Sequence, residues 1–237
     1  MKPKIAMIMA AGRGVRMAHL TDDKPKPLVS VKGKTLLDRV LDHIVTDGIT
    51  EAVVNTCYKA DMIEESLSKR KDIHIQISRE ETALETGGGV VNALPLLLPI
   101  GKEGFFVINA DPIWVDKTTS VFEQLSAAWN PEKMDMILAL IPKERAFGDV
   151  SDGNYFIENG KPRRQRPSEK NIPYLYTGIQ ILHPRVLENI SVGVFSLRDF
   201  FDKAQAEGRL GYIIYDGDWY HVGTPEAVQE TEEKLAE

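Results

Sequence analysis

The chain has 237 residues, of which 43% are hydrophobic and 27% charged, with 29 Lys and Arg against 35 Asp and Glu for a net charge of −6. That length and apolar content suffice for one large core or two small ones, and an acidic balance with no basic block longer than Lys161 to Arg166 speaks against nucleic acid as the main partner. Cys57 is the single cysteine, which excludes an intramolecular disulfide and fits a reducing, cytoplasmic compartment. The apolar run Ile5 to Ala11 is too brief for a signal-peptide core, and no run approaches the roughly 18 apolar residues of a membrane span, so no membrane association is expected.

Ile5 to Met9 is predicted as a buried first strand. It runs into Ala10-Ala11-Gly12-Arg13-Gly14-Val15-Arg16, where small residues and two glycines let backbone N–H groups approach a ligand without Cβ interference, and a concave run of amides favours anions. Two familiar phosphate loops are excluded: the dinucleotide fingerprint needs glycine at position 17, where Met17 stands, and a P-loop needs G-K-[ST], which is absent. Lys26 lies between Pro25 and Pro27, whose fixed backbone can aim the ammonium at a phosphate.

Thr35 to Thr46 carries a helical stripe through Leu36, Leu37, Val40, Leu41 and Ile44. Strands are then predicted at Glu51 to Asn55, Ile73 to Ile77 and Phe105 to Asn109, with helices at Asp61 to Leu67 and Gly88 to Leu98 between them. This alternation predicts an α/β fold with a Rossmann-like, mixed but mostly parallel sheet and helices on both faces, its ligands gathered at the carboxyl ends of the strands. A helix at Val121 to Trp129 and a strand at Met134 to Ile141 continue the pattern. Turns at Asp152-Gly153 and Asn159-Gly160 signal a hairpin, before a strand at Tyr174 to Leu182, a helix at Phe195 to Glu207, a strand at Gly211 to Tyr215 and a helix at Pro225 to Ala236. With no internal repeat or low-complexity linker, residues 1–237 read as one domain.

The joint pattern Ala11-Gly12-Arg13-Gly14-Val15-Arg16 and Pro25-Lys26-Pro27-Leu28 resembles the A-G-x-G-x-R and P-K-P-L signature of the sugar-1-phosphate nucleotidyltransferases. The resemblance implies a GT-A-like fold, a nucleoside triphosphate and a sugar-1-phosphate as partners, and Mg²⁺ as cofactor. It makes residues 1–110 mainly nucleotide-binding, through Ala10, Ala11, Gly12, Gly14, Arg16, Glu85 and Gly88, and residues 111–237 mainly sugar-phosphate-binding. Leu84-Glu85-Thr86-Gly87-Gly88-Gly89, at the start of a predicted helix whose amides can meet a ligand, looks most like the segment of N-acetylmuramate-1-phosphate uridylyltransferases and of mannose-1-phosphate-type enzymes.

Asn109-Ala110-Asp111 follows a buried strand, where an acid has no packing reason to exist. In the family that aspartate holds Mg²⁺, an ion that often takes only one or two carboxylates, with phosphates and water completing its shell. Tyr176-Thr177-Gly178 resembles the strand that approaches the sugar, and Gln165-Arg166-Pro167 stands where many members have Glu-Lys-Pro, so Asn109, Gln165, Arg166, Thr177 and Gly178 are the candidate substrate contacts. Asp218-Trp219-Tyr220-His221-Val222-Gly223-Thr224-Pro225 matches a closing W-x-D-V-G-T-P, with His221 in place of a second metal-binding aspartate. Three roles fit His221: metal ligation beside Asp111, phosphate or water contact, or packing, with Asp218 or phosphates completing the shell in its stead.

The implied reaction is attack of a sugar-1-phosphate oxygen on the α-phosphorus of a triphosphate, with UTP and N-acetylmuramate-1-phosphate as the expected pair and cell-wall sugar recycling as the setting. Catalysis would rest on Arg16, Lys26 and Asp111. A guanylyl transferase acting on mannose-1-phosphate, another sugar- or alcohol-phosphate nucleotidyltransferase, and a non-catalytic nucleotide-binding subunit remain alternatives. A monomer or a small homo-oligomer is compatible with the sequence.

Overall fold

The computed structural model describes residues 2–150 and 152–235. In chain order, β1 (Ile5–Met9) leads through 3₁₀ turns at Val15–Thr21 and Lys26–Leu28 to a small hairpin of β2 (Ser30–Val31) and β3 (Lys34–Thr35). Then come α1 (Leu36–Thr46), β4 (Glu51–Thr56), α2 (Ala60–Ser68), β5 (His74–Arg79), α3 (Glu85–Leu97), β6 (Phe105–Asn109), β7 (Pro112–Val115) and α4 (Val121–Ala128). The remainder comprises β8 (Met136–Pro142), β9 (Ala146–Gly148), β10 (Tyr155–Glu158), β11 (Lys161–Arg164), β12 (Tyr174–Leu182), α5 (Arg198–Ala206), β13 (Leu210–Ile214), β14 (Asp218–His221) and α6 (Pro225–Lys234).

The strands β5, β4, β1 and β6 are parallel neighbours. On the far side of β6, β12 runs antiparallel to both β6 and β8, so β8 and its parallel partner β13 point the same way as the first four. The β10–β11 hairpin is attached to the start of β12 through the pair Tyr155 and Tyr174. The expected mostly parallel sheet is therefore present, with one reversed strand in its middle.

Alternation along β1 shows why both faces are covered. Ala6 and Ile8 pack with Leu37, Val40 and Leu41 of α1, Ile63 of α2 and Phe122 of α4, whereas Ile5 and Met7 face Val90 and Leu97 of α3 and Phe201 of α5. Each such aliphatic side chain, withdrawn fully from water, contributes about 1.5–3 kcal/mol. The helix starts obey local chemistry: Thr35 caps α1 by accepting from the Asp38 amide at 3.0 Å, and Thr224 caps α6 by accepting from Ala227 at 3.2 Å.

Two predicted helix starts shift. The third helix begins at Glu85 instead of Gly88, and the fifth at Arg198 instead of Phe195, because the 193–197 segment is spent on docking against α3. Phe195 donates its amide to Leu84 O at 3.2 Å and accepts from the Gly87 and Gly88 amides at 2.9 and 3.2 Å. Of the predicted closing helix, Ala236 lies outside the described residues. A second, three-stranded sheet in the order β7-β14-β9 was not predicted at all; Pro112 and the shortness of these strands hide it from periodicity.

Candidate active site

The carboxyl ends of β1, β4, β5 and β6 open onto a cleft of about 250 Å³, walled by Ala10, Ala11 and Gly12, with Asn55 and Glu80 at its base and Lys26, Asn109 and Asp111 on its rim. Glu85, Thr86 and Asn109 also line an adjoining cleft of about 680 Å³, completed by Asn154, Tyr155, Arg164, Gln165, Tyr176 and the 196–198 segment. Two connected compartments thus meet at the strand ends, where open α/β sheets place their ligands.

Lys26 is aimed by the loops around it. Gly14 has φ +71°, and a Cβ there would lie 2.6 Å from the Lys26 Cβ, so this glycine makes room for the lysine stem. The ammonium reaches Asp111 Oδ2 at 2.8 Å. Asp111 follows β6, and its neighbour Pro112 begins β7, which pairs with β14 so that Pro112 stands opposite His221. On the other side of β14, His221 is in register with Gly148, the residue before Asp149. The small sheet therefore gathers Asp111, Asp149 and His221 from three distant parts of the chain.

A row of alternating charge results. Arg16 pairs with the Asp149 carboxylate, His221 Nδ1 donates to Asp149 O at 2.7 Å, and His221 Nε2 lies 3.5 Å from Asp111 Oδ2, which meets Lys26 on its other side. Burial raises the Asp111 carboxyl's affinity for a proton, but the Lys26 charge and the His221 hydrogen bond outweigh it and hold the group well below the ordinary carboxylate range. For His221 burial acts to lower the pKa, and the hydrogen bond and charge of Asp111 reverse it, so the imidazole is raised above its ordinary value. Among the described residues no three His, Cys, Asp or Glu side chains cluster as a metal site.

The candidates divide by position. Ala10, Ala11, Gly12, Glu85, Lys26, Asn109 and Asp111 line the smaller cleft and Gln165 the larger. Arg16 lies outside both, joined to them only through Asp149 and His221. Gly88 is buried, a Cβ on it would sit 1.8 Å from the Gly193 carbonyl oxygen, and it lines neither cleft. The amides of Gly87 and Gly88, expected to face a ligand, are taken by Phe195 O. Thr177 is buried and donates to Ala139 O at 2.9 Å, while Gly178, at φ +82°, packs on the Asn109 side chain where β12 shifts register. Gly178 thus backs Asn109, and neither residue lines a cleft. Arg166 is exposed past the end of β11 and lines neither cleft, although its neighbour Gln165 lines the larger one.

Several lining groups escaped the sequence. Asn55 accepts from the Ala10 amide at 2.7 Å and donates to Glu80 Oε1 at 2.7 Å, and Glu80 Oε2 takes the Leu84 amide at 3.0 Å, so one buried network ties the glycine loop to the segment before α3. Both residues stand at the carboxyl ends of apolar strands, the cue that had flagged Asn109 and Asp111. Asp149, Tyr155, Arg164 and Arg198 carry no comparable local signal.

A family model described as nucleotidyl transferase matches residues 5–237. The chain is 39% identical over 240 residues to an N-acetylmuramate alpha-1-phosphate uridylyltransferase of Caulobacter vibrioides, covering 99% of this chain and 98% of that one. It is 32% identical over 225 residues to the enzyme of the same description from Neisseria meningitidis serogroup B, covering 92% and 93%. The crystal structure of HddC from Yersinia pseudotuberculosis complexed with GMP-PN superposes with a TM-score of 0.76 at 22% identity, over 99% of this chain and 100% of that one, which establishes likeness of fold.

Proposed function

The chain belongs to the nucleotidyl transferase family, and on that premise we propose that it joins UTP to N-acetylmuramate 1-phosphate, giving the nucleotide sugar and pyrophosphate. The observation that carries this reading is the Lys26–Asp111 pair at 2.8 Å on the rim of the smaller of two connected clefts. The smaller cleft suits the nucleotide, and the larger, built mostly from residues after 110, suits the sugar phosphate. Glu80 supports a base bearing a ring N–H, since its carboxylate at the cleft base can only accept. The similarity to two N-acetylmuramate uridylyltransferases supports the choice of substrates.

In this reaction an oxygen of the sugar phosphate bonds to the α-phosphorus, and the bond from that phosphorus to the α–β bridging oxygen breaks, releasing pyrophosphate. The nucleophile is already an anion, so the protein's task is to hold two mutually repelling phosphates together. Lys26 would lie against the α-phosphate and the incoming phosphate. The Ala10 to Gly12 backbone would receive the triphosphate, and Arg16, released from Asp149, the outgoing pyrophosphate. Asp111 fits Mg²⁺ as a single-carboxylate anchor, with phosphates and water supplying the other oxygens, and His221 lies beside it. A bound Mg²⁺ would neutralise phosphate charge.

The lack of any helix long and apolar enough to cross a membrane, among the described residues, is consistent with cytoplasmic work on soluble substrates. The deciding experiment is pyrophosphate release over a matrix of four triphosphates and several sugar-1-phosphates. Turnover is expected with UTP and N-acetylmuramate 1-phosphate well above every other pair, and preference for GTP with mannose 1-phosphate would overturn the assignment.

A further inference from the structure

The larger cleft holds two guanidinium groups in unlike states. Arg164 is engaged by Asp202, donating from Nε at 2.7 Å to one carboxylate oxygen and from Nη2 to the other. Arg198, the first residue of α5, lines the same cleft, yet no carboxylate, carbonyl or aromatic ring among the described residues pairs with its side chain; only its backbone amide is used, donated to Ser196 Oγ at 3.3 Å. Arg198 is exposed, and a guanidinium that faces a cleft without a protein carboxylate on it can hold a planar anion through two parallel hydrogen bonds.

A second observation falls in the same place. Tyr155 lines this cleft, is 2% exposed, and its hydroxyl has no hydrogen-bond partner among the described residues. A buried hydroxyl left unpaired is costly, and such groups recur where a ligand supplies the missing partner. Tyr155, Arg164 and Arg198 line the same cleft, and burial drives this phenol above its ordinary pKa, with Asp202 acting in the same sense and the two guanidinium charges against it. Lys26, proposed above to lie against the reacting phosphates, and Asp111, the proposed metal anchor, line the smaller cleft and not the larger, so Arg198 is placed for a second anionic group of the same substrate.

Resting on the function proposed above, we propose that Arg198 binds the lactyl carboxylate of the sugar, with the Tyr155 hydroxyl as a second donor, and so selects N-acetylmuramate 1-phosphate over N-acetylglucosamine 1-phosphate, which has a free hydroxyl in place of the lactyl ether. The planar fork of arginine matches a carboxylate through two parallel hydrogen bonds. Neutral sugars would leave Arg198 solvated and gain nothing from it.

The test measures kcat and KM for both sugar phosphates with UTP in the wild type, Arg198→Met, Arg198→Lys and Tyr155→Phe. The wild type should favour the acid by at least about tenfold in kcat/KM. Arg198→Met should raise KM for the acid on the order of ten- to a hundredfold with kcat nearly constant, raise KM for the neutral sugar far less and so erase most of the preference; Arg198→Lys should recover part of it. Tyr155→Phe should raise KM for the acid more modestly without lowering Tm, because it removes a hydroxyl that folding leaves unpaired. If the wild type prefers the acid and Arg198→Met prefers it equally, the role of Arg198 is overturned and the proposed function stands. If the wild type shows no preference for the acid, both are overturned.

Discussion

At the scale of single residues, the candidate site is a set of charges that neutralise one another. Lys26 and Asp111 touch at 2.8 Å, and each is expected to meet substrate or metal in turnover. Lys26→Met and Asp111→Asn should each cost about 3 kcal/mol of transition-state stabilisation, on the order of a hundredfold in kcat, with Tm within a few degrees of wild type. Steady-state pyrophosphate release and a thermal melt check both halves. Gly12 offers a sharper separation of fold from function: a Cβ there would have no neighbour within 4 Å, so Gly12→Ala should fold unchanged. If the Ala10 to Gly12 backbone lies against the triphosphate, the added methyl should raise KM for the nucleotide at least about tenfold, and an unaltered KM would remove this loop from the phosphate site. That Lys26, Asp111 and Gly12 would share one cleft was legible in the sequence because each sits in a contiguous motif at a strand end or glycine loop. Asp149 was not, since it reaches Arg16 and His221 only after three short strands pair.

At the scale of elements, the Gly87-Gly88-Gly89 run shows how a correct motif can be given the wrong physical cause. The glycines looked like a helix start made for a ligand; instead Gly87 and Gly88 let α3 approach the 193–195 segment so closely that no Cβ fits at Gly88, while Gly89 packs against Asn55 and Glu80. Gly88→Ala should therefore destabilise by roughly 1–3 kcal/mol through overpacking, lowering Tm by a few degrees per kcal/mol. It should also raise KM for the sugar phosphate more than for the nucleotide, because the displaced segment carries Ser196, Leu197 and Arg198 of the larger cleft. The seam between α1 and β7 gives a pH prediction. His43 stacks on Trp114 with ring centroids 4.4 Å apart, and burial lowers its pKa against the opposing pull of Asp116. A histidine depressed in the folded state contributes stability above its unfolded pKa of about 6.5 and loses it as pH falls through the folded value. Wild type should lose more Tm than His43→Phe between about pH 7.5 and pH 5, the phenyl ring keeping the stack without the proton. Parallel Tm curves would show that His43 does not titrate against the fold.

At the scale of the whole molecule, the central sheet supplies strand ends and the small sheet supplies a charged flank, and the site exists only where the two meet. Sequence periodicity captured the first, whose long apolar strands and amphipathic helices declare themselves locally. It missed the second, whose strands β7, β9 and β14 are three or four residues each and acquire meaning only through pairing. This architecture bears on how metal and fold are linked. Asp111 is already paired with Lys26 and His221, and no cluster of three His, Cys, Asp or Glu forms among the described residues, so Mg²⁺ alone is expected to add little stability. A ligand raises Tm only to the extent that it binds the folded state, by RT ln(1 + [L]/Kd). Mg²⁺ alone should then leave Tm nearly unchanged, and chelation should abolish turnover without lowering Tm. Mg²⁺ with UTP should raise Tm well beyond UTP alone, because the phosphates bring the missing oxygens and separate Lys26 from Asp111. Asp111→Asn should abolish that added increment while retaining the shift given by UTP, and a large Tm rise from Mg²⁺ without nucleotide would show instead that the protein by itself builds a complete metal site.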